Sequence, residues 1–227
     1  MEPGQTPPAS LPDMSEDRAP ALKLVPVSRE TELLLAGFVE ILCRWQQHTN
    51  LIAASTVPHI WTRHIADSLQ LLALAPDAKV WIDLGSGAGF PGMALACALA
   101  NTKGAIVHLV ESNTKKARFL REAARELKLP AEVHPVRIED FVQNFRERAD
   151  VVTARALAPL DALLGLSHPL LQKGPIGLFF KGQHVDAELT QATKCWSMQA
   201  TLVPSKTSDQ SRIVVIRSLK KLSQRRK

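Results

Sequence analysis

The residues best suited to ligand binding are three glycines that alternate with other residues, Gly85, Gly87 and Gly89. They follow the mostly apolar segment Val80–Leu84, in which Asp83 stands two positions before the first glycine. Glycine readily adopts a positive φ, and it has no Cβ to hold another group away from the backbone. A glycine-rich loop between a strand and a helix also aims free N–H groups at a ligand. The spacing therefore predicts a ligand-binding turn.

Three classes of ligand use such a turn, and the residues after the glycines distinguish them. A Walker phosphate loop ends in Gly-Lys-Ser/Thr, whereas this chain continues Gly89-Phe90-Pro91, so a phosphate loop is excluded. A dinucleotide loop needs a small sixth residue counted from Gly85, and the large Phe90 argues against it. The remaining pattern, Asp-x-Gly-x-Gly-x-Gly, resembles the first motif of class I S-adenosylmethionine methyltransferases.

That resemblance implies a role for the acidic residues at both ends of the ligand. The glycine backbone would lie against the amino acid moiety and the ribose, and Asp83 would meet the ammonium group. Glu111, at the end of the next predicted strand, would accept both ribose hydroxyls. The alternative is that the glycines only form a tight turn and that Glu111 caps the following helix.

The elements that must position this loop alternate between strand and helix from residue 80 onward, which favours βαβ units and a parallel sheet. Two further strands near the C-terminus are joined by a short polar loop, which predicts an antiparallel pair at one edge. The fold class is thus α/β, Rossmann-like, with a mostly parallel sheet, an antiparallel edge strand and an N-terminal helical cap. The predicted strands are Val80–Leu84, 105–111, 131–136, 150–154, Ile176–Lys181, 199–203 and 212–217.

The helical cap precedes the sheet. Ser28 is a plausible N-cap, and apolar residues recur at helical spacing from there to about His48. Two short helices are expected next, ending before Pro76. The predicted domains are a disordered Pro-rich extension (1–27), the cap (28–76), the methyltransferase core (77–217) and a basic tail (218–227).

Composition narrows the function classes. The formal net charge is +6, and six cations and no acid lie in residues 217–227, so the first 216 residues are formally neutral. Such a tail attracts polyanions, although a charged run is often only a solvated end. No long apolar run or secretion signal stands out, so a cytoplasmic protein without membrane association is expected. Three unpaired cysteines give no metal or disulfide spacing, so no metal site is expected.

Several separated stretches resemble one family, the small-subunit ribosomal RNA methyltransferases called RsmG or GidB. The match keeps its order over about residues 30–217, and its most specific parts are RHIADS and the FPG that ends the glycine loop. The matching stretches are Trp45 with Asn50-Leu51, Arg63-His64-Ile65-Ala66-Asp67-Ser68, Gly89-Phe90-Pro91-Gly92, Glu111-Ser112, Lys116-Ala117-Arg118-Phe119-Leu120, Arg137-Ile138-Glu139, Arg155-Ala156 and Lys181-Gly182-Gln183.

This resemblance implies methyl transfer from S-adenosylmethionine to N7 of a guanine in 16S ribosomal RNA, either free or within the small ribosomal subunit or its precursor. The family's cofactor positions fall on Gly85, Phe90, Ile138, Glu139 and Arg155. With Gly87 and Glu111 from the loop and the next strand end, these seven residues form the predicted cofactor site.

The sequence says less about the residues that contact the RNA base that accepts the methyl group. N7 already has an in-plane lone pair and no proton to lose, so a general base is superfluous and no catalytic residue is assigned. Arg63, His64 and Asp67 are expected along the cofactor cleft, and Arg63, His64 and Lys181 are the candidate RNA contacts. Two alternatives stay open: a methyltransferase of a small molecule or protein, and a non-catalytic RNA-binding module on the same fold.

Overall fold

A single seven-stranded sheet organises the molecule. The computed structural model describes residues 15–222, and the strand order is β3-β2-β1-β4-β5-β7-β6. The first five strands are parallel, and β7 is antiparallel to both β5 and β6, as the sequence predicted. The strands are β1 (Val80–Leu84), β2 (Ile106–Val110), β3 (Ala131–His134), β4 (Val151–Arg155), β5 (Ile176–Lys181), β6 (Trp196–Pro204) and β7 (Arg212–Lys221).

Alternating side chains of the strands divide the core between the two faces of the sheet. In β1, Trp81 packs into one apolar cluster, whereas Ile82 and Leu84 pack into the other. Helices complete both clusters, so the parallel strands are covered on both faces. The helices are α1 (Ser15–Leu24), α2 (Arg29–Gln46), α3 (Asp67–Leu69), α4 (Gly92–Ala98), α5 (Thr114–Glu126), α6 (Ile138–Asn144), α7 (Leu160–Leu171) and α8 (Val185–Ala192).

The strand order reverses beside β1, which has β2 on one side and β4 on the other. In open α/β sheets, ligands bind in the crevice at the carboxyl ends of the strands at such a reversal. The glycine loop follows β1 and Arg155 ends β4, so the topology brings both to this crevice.

Side-chain caps begin the two longest helices, and the first of them is the N-cap that the sequence indicated. The Ser28 hydroxyl oxygen accepts the N–H of Thr31 at the start of α2. The Asn113 side chain accepts two backbone N–H groups at the start of α5. No helix of the described residues is long and apolar enough to cross a membrane.

The expected disorder of the N-terminal extension is wrong for part of it, because residues 15–24 form α1. Asp17 holds this helix to the cap by accepting hydrogen bonds from the backbone N–H and the hydroxyl of Thr62, at 2.9 and 2.6 Å. Ala21 is fully buried in the core. These long-range contacts order a segment whose own sequence has no apolar periodicity; residues 1–14 lie outside the described residues.

The second part of the cap also differs from the expectation of two short helices. Residues 54–74 form one continuous helical run that consists of four segments, each of a different pitch from its neighbours. It passes from a 3₁₀ segment (Ala54–His59) to a π segment (Trp61–Ala66), then to α3 and a second 3₁₀ segment (Gln70–Leu74). The wide π turn carries Arg63 and His64, and such turns are frequent at functional sites.

The C-terminal pair of strands is longer than predicted, so the basic tail does not begin at residue 218. Lys220 and Lys221 pair in the sheet with Ser197 and Trp196 of β6. Leu219 is buried in a core cluster, and this burial extends the strand past the predicted end at 217. Residues 223–227 lie outside the described residues.

Candidate functional site

All seven residues predicted for the cofactor site line one cleft of about 510 Å³, called the first cleft below. It opens at the carboxyl ends of β1, β2 and β4, at the reversal of strand order. The seven residues are Gly85, Gly87, Phe90, Glu111, Ile138, Glu139 and Arg155.

The glycine loop needs glycine for both reasons that the sequence suggested. The φ angles of Gly85, Gly87 and Gly89 are +71°, +54° and +88°, in the region that side chains other than glycine rarely adopt. A Cβ added to Gly85 would lie 2.8 Å from the Cδ1 of Leu157. The loop is held in place by Val110, whose carbonyl accepts the N–H of Gly85 at 2.9 Å.

Glu111 combines the two roles that the sequence left as alternatives. Its Oε1 accepts the N–H of Asn113 at 2.7 Å, so it does support the start of α5. Its Oε2 accepts the N–H of Gly87 at 2.8 Å, which places the carboxylate directly against the glycine loop. A carboxylate has about four acceptor positions, so capacity remains for groups in the cleft.

Asp83 does not occupy the place expected for an ammonium contact. It is fully buried and is not among the residues that line the first cleft. Its Oδ2 accepts the N–H of Gly92 at 3.1 Å, whereas Oδ1 has no hydrogen-bond partner among the described residues. Burial raises the pKa of Asp83 to about 7, against the opposing effect of the hydrogen bonds from Ser86 and Gly92. Asp83 therefore ties the end of β1 to the start of α4.

A wall formed chiefly by Arg155 and His64 closes one side of the first cleft. The Arg155 Nη2 lies 2.6 Å from His64 Nδ1, and Nη1 donates to the carbonyl of Arg63 at 3.1 Å. Because a guanidinium only donates, Nδ1 of His64 accepts, and Nε2 carries the hydrogen. That nitrogen lies 3.0 Å from the Thr56 hydroxyl oxygen, so both ring nitrogens are engaged.

The imidazole of this wall stays neutral. Burial, together with the nearby charges of Arg155 and Arg63, lowers the pKa of His64 to about 3. Phe90 packs against both members of the wall: its ring stacks on His64 at a centroid distance of 4.9 Å, and the Arg155 Cζ lies 5.4 Å from the ring centroid.

A second cleft, of about 390 Å³, lies on the other side of the wall. Thr56, His64, Arg155 and Ala156 line both clefts. Ala156 has a φ of +51°, which is uncommon outside glycine and marks a constrained position. The residues that line only the second cleft are Arg63, Asp67, Phe180, Lys181, Gly182, Thr207, Ser208 and Ser211.

The three candidate RNA contacts all line the second cleft, but they differ in whether other groups of the protein already bind their side chains. Arg63 is exposed. Lys181 is instead engaged within the protein: its Nζ lies 2.7 Å from Glu188 Oε2 and donates to the carbonyl of Ala158 at 2.6 Å. Arg63 and Asp67 were expected along the first cleft and line the second one.

Asp67 is the residue whose importance sequence reasoning missed. Its Oδ2 lies 3.5 Å from the Arg155 Nη1, and its Oδ1 accepts hydrogen bonds from the hydroxyls of Thr207 and Ser205, at 2.7 and 3.2 Å. Asp67 therefore joins the cap to the loop between β6 and β7 and orients Arg155. The RHIADS motif pointed to Asp67, but no spacing signal connects it with residues about 140 positions away.

Comparison with known proteins identifies close relatives of this sequence. A family model described as GidB, rRNA small subunit methyltransferase G, matches residues 31–219. The ribosomal RNA small subunit methyltransferase G of Nitrobacter hamburgensis is 57% identical over 206 residues, 91% of this chain and 79% of that protein. Its counterpart in Bradyrhizobium sp. (strain ORS 278) is 54% identical over 215 residues, 95% of this chain and 97% of that protein.

Solved structures resemble the fold at much lower sequence identity. The cofactor-bound Rv0187 from MTB matches with a TM-score of 0.60 and 14% identity, over 94% of this chain and 98% of that one. The O-methyltransferase from Bacillus cereus in complex with SAH matches with a TM-score of 0.58 and 15% identity, over 91% of this chain and 100% of that one. These likenesses confirm the predicted Rossmann-like fold of class I methyltransferases.

Proposed function

The chain belongs to the GidB family of rRNA small subunit methyltransferase G proteins, and from this premise we propose that it transfers a methyl group from S-adenosylmethionine to N7 of a guanine in 16S ribosomal RNA. The observation that supports this most directly is the pair of clefts that share one wall. A methyl donor in the first cleft and a base in the second would meet beside His64 and Arg155.

The first cleft suits S-adenosylmethionine. Its glycine loop would let the donor lie against the backbone, and the Glu111 carboxylate beside that loop would accept ribose hydroxyls. Ile138 is half-buried at the start of α6, and Val136 beside it is 38% exposed, so both offer apolar surface to an adenine ring. Phe90 would shield the methionine arm from water.

The wall residues suit an acceptor that needs no deprotonation. His64 is neutral, and both of its ring nitrogens are engaged, so it has no free lone pair for a proton. Guanine N7 attacks the methyl carbon with its own lone pair, the carbon–sulfur bond breaks, and sulfur keeps the bonding electrons. The guanine becomes cationic without losing a proton. Positioning then supplies most of the rate enhancement.

The acceptor is tested by product mapping with methyl-labelled S-adenosylmethionine. The chain is incubated separately with naked 16S RNA, assembled small subunits and a protein extract, and the product is digested and identified by mass spectrometry. We expect 7-methylguanosine in one of the two RNA samples. Label only in protein, or on another nucleoside position, refutes the proposed reaction. The Gly85→Arg variant, whose arginine would fill the first cleft, gives the background level of methyl incorporation.

A further inference from the structure

Three possible metal ligands meet on the edge of the sheet, outside the two clefts. His108 lies on β2, and Glu132 and His134 lie on the edge strand β3. His108 and Glu132 are direct partners in the parallel register, and His134 stands two residues further along β3. Side chains two residues apart in a strand share a face, so all three project to one side of the sheet.

The three donor atoms form a compact triangle. His108 Nδ1 and His134 Nε2 are 3.0 Å apart, and the Glu132 carboxylate oxygens lie 3.8 Å from the former and 3.7 Å from the latter. Zinc binds imidazole nitrogen at about 2.0–2.1 Å, so two ligands at the tetrahedral angle are about 3.3 Å apart. Small side-chain movements would therefore place one ion at bonding distance from all three atoms.

Glu147 lies beside the nitrogen of His108 that faces away from Glu132 and His134. Its Oε2 lies 3.9 Å from His108 Nε2, a buried atom without a hydrogen-bond partner among the described residues. A nearby carboxylate favours a hydrogen on Nε2, which leaves the lone pair on Nδ1 toward His134 and Glu132. A metal-bound imidazole usually donates its other N–H to an outer carboxylate, and Glu147 would have to come closer than 3.9 Å to accept such a bond.

Apolar side chains cover one side of the two imidazoles. Phe141 and Phe145 of α6 pack against the two rings, at centroid distances of 4.7 Å from His134 and 5.0 Å from His108. One side of the cluster is thus apolar, while Glu132 at the edge is 56% exposed and gives an ion a route of entry.

We propose that His108, Glu132 and His134 form a binding site for Zn²⁺ or a divalent transition cation with similar preferences. Two imidazoles and one carboxylate suit zinc, and they suit magnesium and calcium poorly, because those ions prefer oxygen ligands. Water would fill the fourth position at the exposed edge. No metal site was expected from the sequence, since Glu132 and His134 stand 24 and 26 positions after His108 and only the register of β2 and β3 brings them together.

The site also has a structural connection to the first cleft. The carbonyl of His134 accepts the N–H of Glu111 at 3.1 Å, and α6, which packs on the two histidines, begins at Ile138. A bound ion would tie β3 to β2 beside these two residues. Zinc binding is therefore expected to raise the melting temperature of the protein.

The test measures Zn²⁺ binding to the untagged full-length chain by competition with a chromophoric chelator. We expect one ion per chain, no displacement by excess Mg²⁺, and the absorption bands of a tetrahedral site with Co²⁺. Glu132→Ala and His134→Ala should each weaken Zn²⁺ binding at least about 100-fold, beyond the effect typical of outer residues. Both positions are partly exposed, so these variants should fold, and a thermal melt without metal checks this.

His48→Ala, which changes an exposed histidine outside the cluster, is the matched control and should bind Zn²⁺ like the unaltered chain. The proposal is overturned if the unaltered chain binds no stoichiometric Zn²⁺, or if either cluster variant keeps its affinity. The second outcome would leave His108 and His134 as a hydrogen-bonded structural pair.

Discussion

The two clefts are neighbours that share a wall, but they are built differently. The first cleft is formed chiefly by one contiguous loop, residues 85–90, and by the ends of adjacent strands, with residues 51–53 of the cap and the start of α6 at its margins. The second is assembled from the helical run at residues 54–74, the ends of β4 and β5 and the loop between β6 and β7. Backbone geometry shapes the first, and a side-chain network centred on Asp67 shapes the second. A change in one cleft should therefore leave the other intact unless it touches the wall.

The largest predicted effect is the loss of affinity for S-adenosylmethionine caused by Gly85→Arg in the first cleft. A side chain there must adopt a positive φ and displace Leu157, and the arginine would fill the space in front of the loop. Affinity for S-adenosylmethionine should fall more than about 100-fold, which corresponds to about 2.8 kcal/mol. Isothermal titration calorimetry measures this directly.

The control for this change is Gly165→Ala, because its added Cβ would meet only Trp196, at an ordinary contact distance of 3.9 Å. Equal retention of S-adenosylmethionine by Gly85→Arg and Gly165→Ala would contradict the assignment of the glycine loop. RNA affinity should stay unchanged in both variants if the two clefts are independent.

The next largest predicted effect is on the pH dependence of stability, through His64 of the wall. The pKa of His64 is about 3 in the folded state and about 6.5 when unfolded. Below pH 6.5 the unfolded chain therefore gains a proton that the folded state does not accept, so this residue lowers stability as the pH falls. At pH 5 the cost is about 2 kcal/mol, from about 1.4 kcal/mol per pH unit.

Asp83 acts in the opposite direction. Its folded pKa of about 7 lies above its ordinary value of 3.8, so the folded state holds a proton that the unfolded state has released. The stability from this residue is present at low pH and is lost as the pH rises from about 4 to 7. The two contributions offset each other over much of this range.

His64→Gln removes the contribution of His64 to this pH dependence and leaves that of Asp83. Compared with the unaltered chain, the variant should gain about 2 kcal/mol of unfolding free energy at pH 5 relative to pH 8, measured by urea unfolding at both pH values. His48→Gln, a change at an exposed histidine, should keep the original profile. If His64→Gln also keeps it, the imidazole of the wall is not the neutral, buried group described above.

A smaller effect, confined to the second cleft, is expected from Asp67→Asn. The substitution removes the charge that faces Arg155 and weakens the link to Thr207, so the acceptor side loses its fixed geometry. Methyl transfer to RNA should fall about tenfold, in line with a loss of about 1.4 kcal/mol. The Asp67 side chain reaches the wall through Arg155, which keeps its contacts with His64 and with the carbonyl of Arg63, so affinity for S-adenosylmethionine should stay within about twofold.

Asp140→Asn removes the same charge from an exposed position at the start of α6 and serves as the control for Asp67→Asn. A parallel loss of S-adenosylmethionine binding in Asp67→Asn would show that the clefts are coupled and that the comparison between them fails.

The difference in construction also explains what the sequence could predict. The strands and the glycine loop follow from local patterns, because apolar alternation and glycine spacing act over a few residues. The resemblance to a family added Ile138, Glu139 and Arg155, and all three line the first cleft. The contact of Asp67 with Thr207 and the ordering of α1 by Thr62 depend on pairs far apart in the chain, for which one sequence carries no signal.

The smallest predicted effect is on the salt dependence of RNA binding, and it distinguishes Arg63 from Lys181 in the second cleft. Arg63 is exposed, so it is free to neutralise a phosphate, whereas Lys181 is already paired with Glu188. Arg63→Gln should therefore reduce the slope of log affinity against log salt for a 16S RNA fragment by about one. Lys181→Gln should leave that slope unchanged and lower the melting temperature, because the Glu188 carboxylate loses its cation and, among the described residues, keeps only the N–H of Leu160. Fluorescence anisotropy across a salt series measures both slopes. A reduced slope in Lys181→Gln alone would mean that the lysine leaves Glu188 to meet RNA, and the second cleft would then rearrange on binding while the backbone-built first cleft does not.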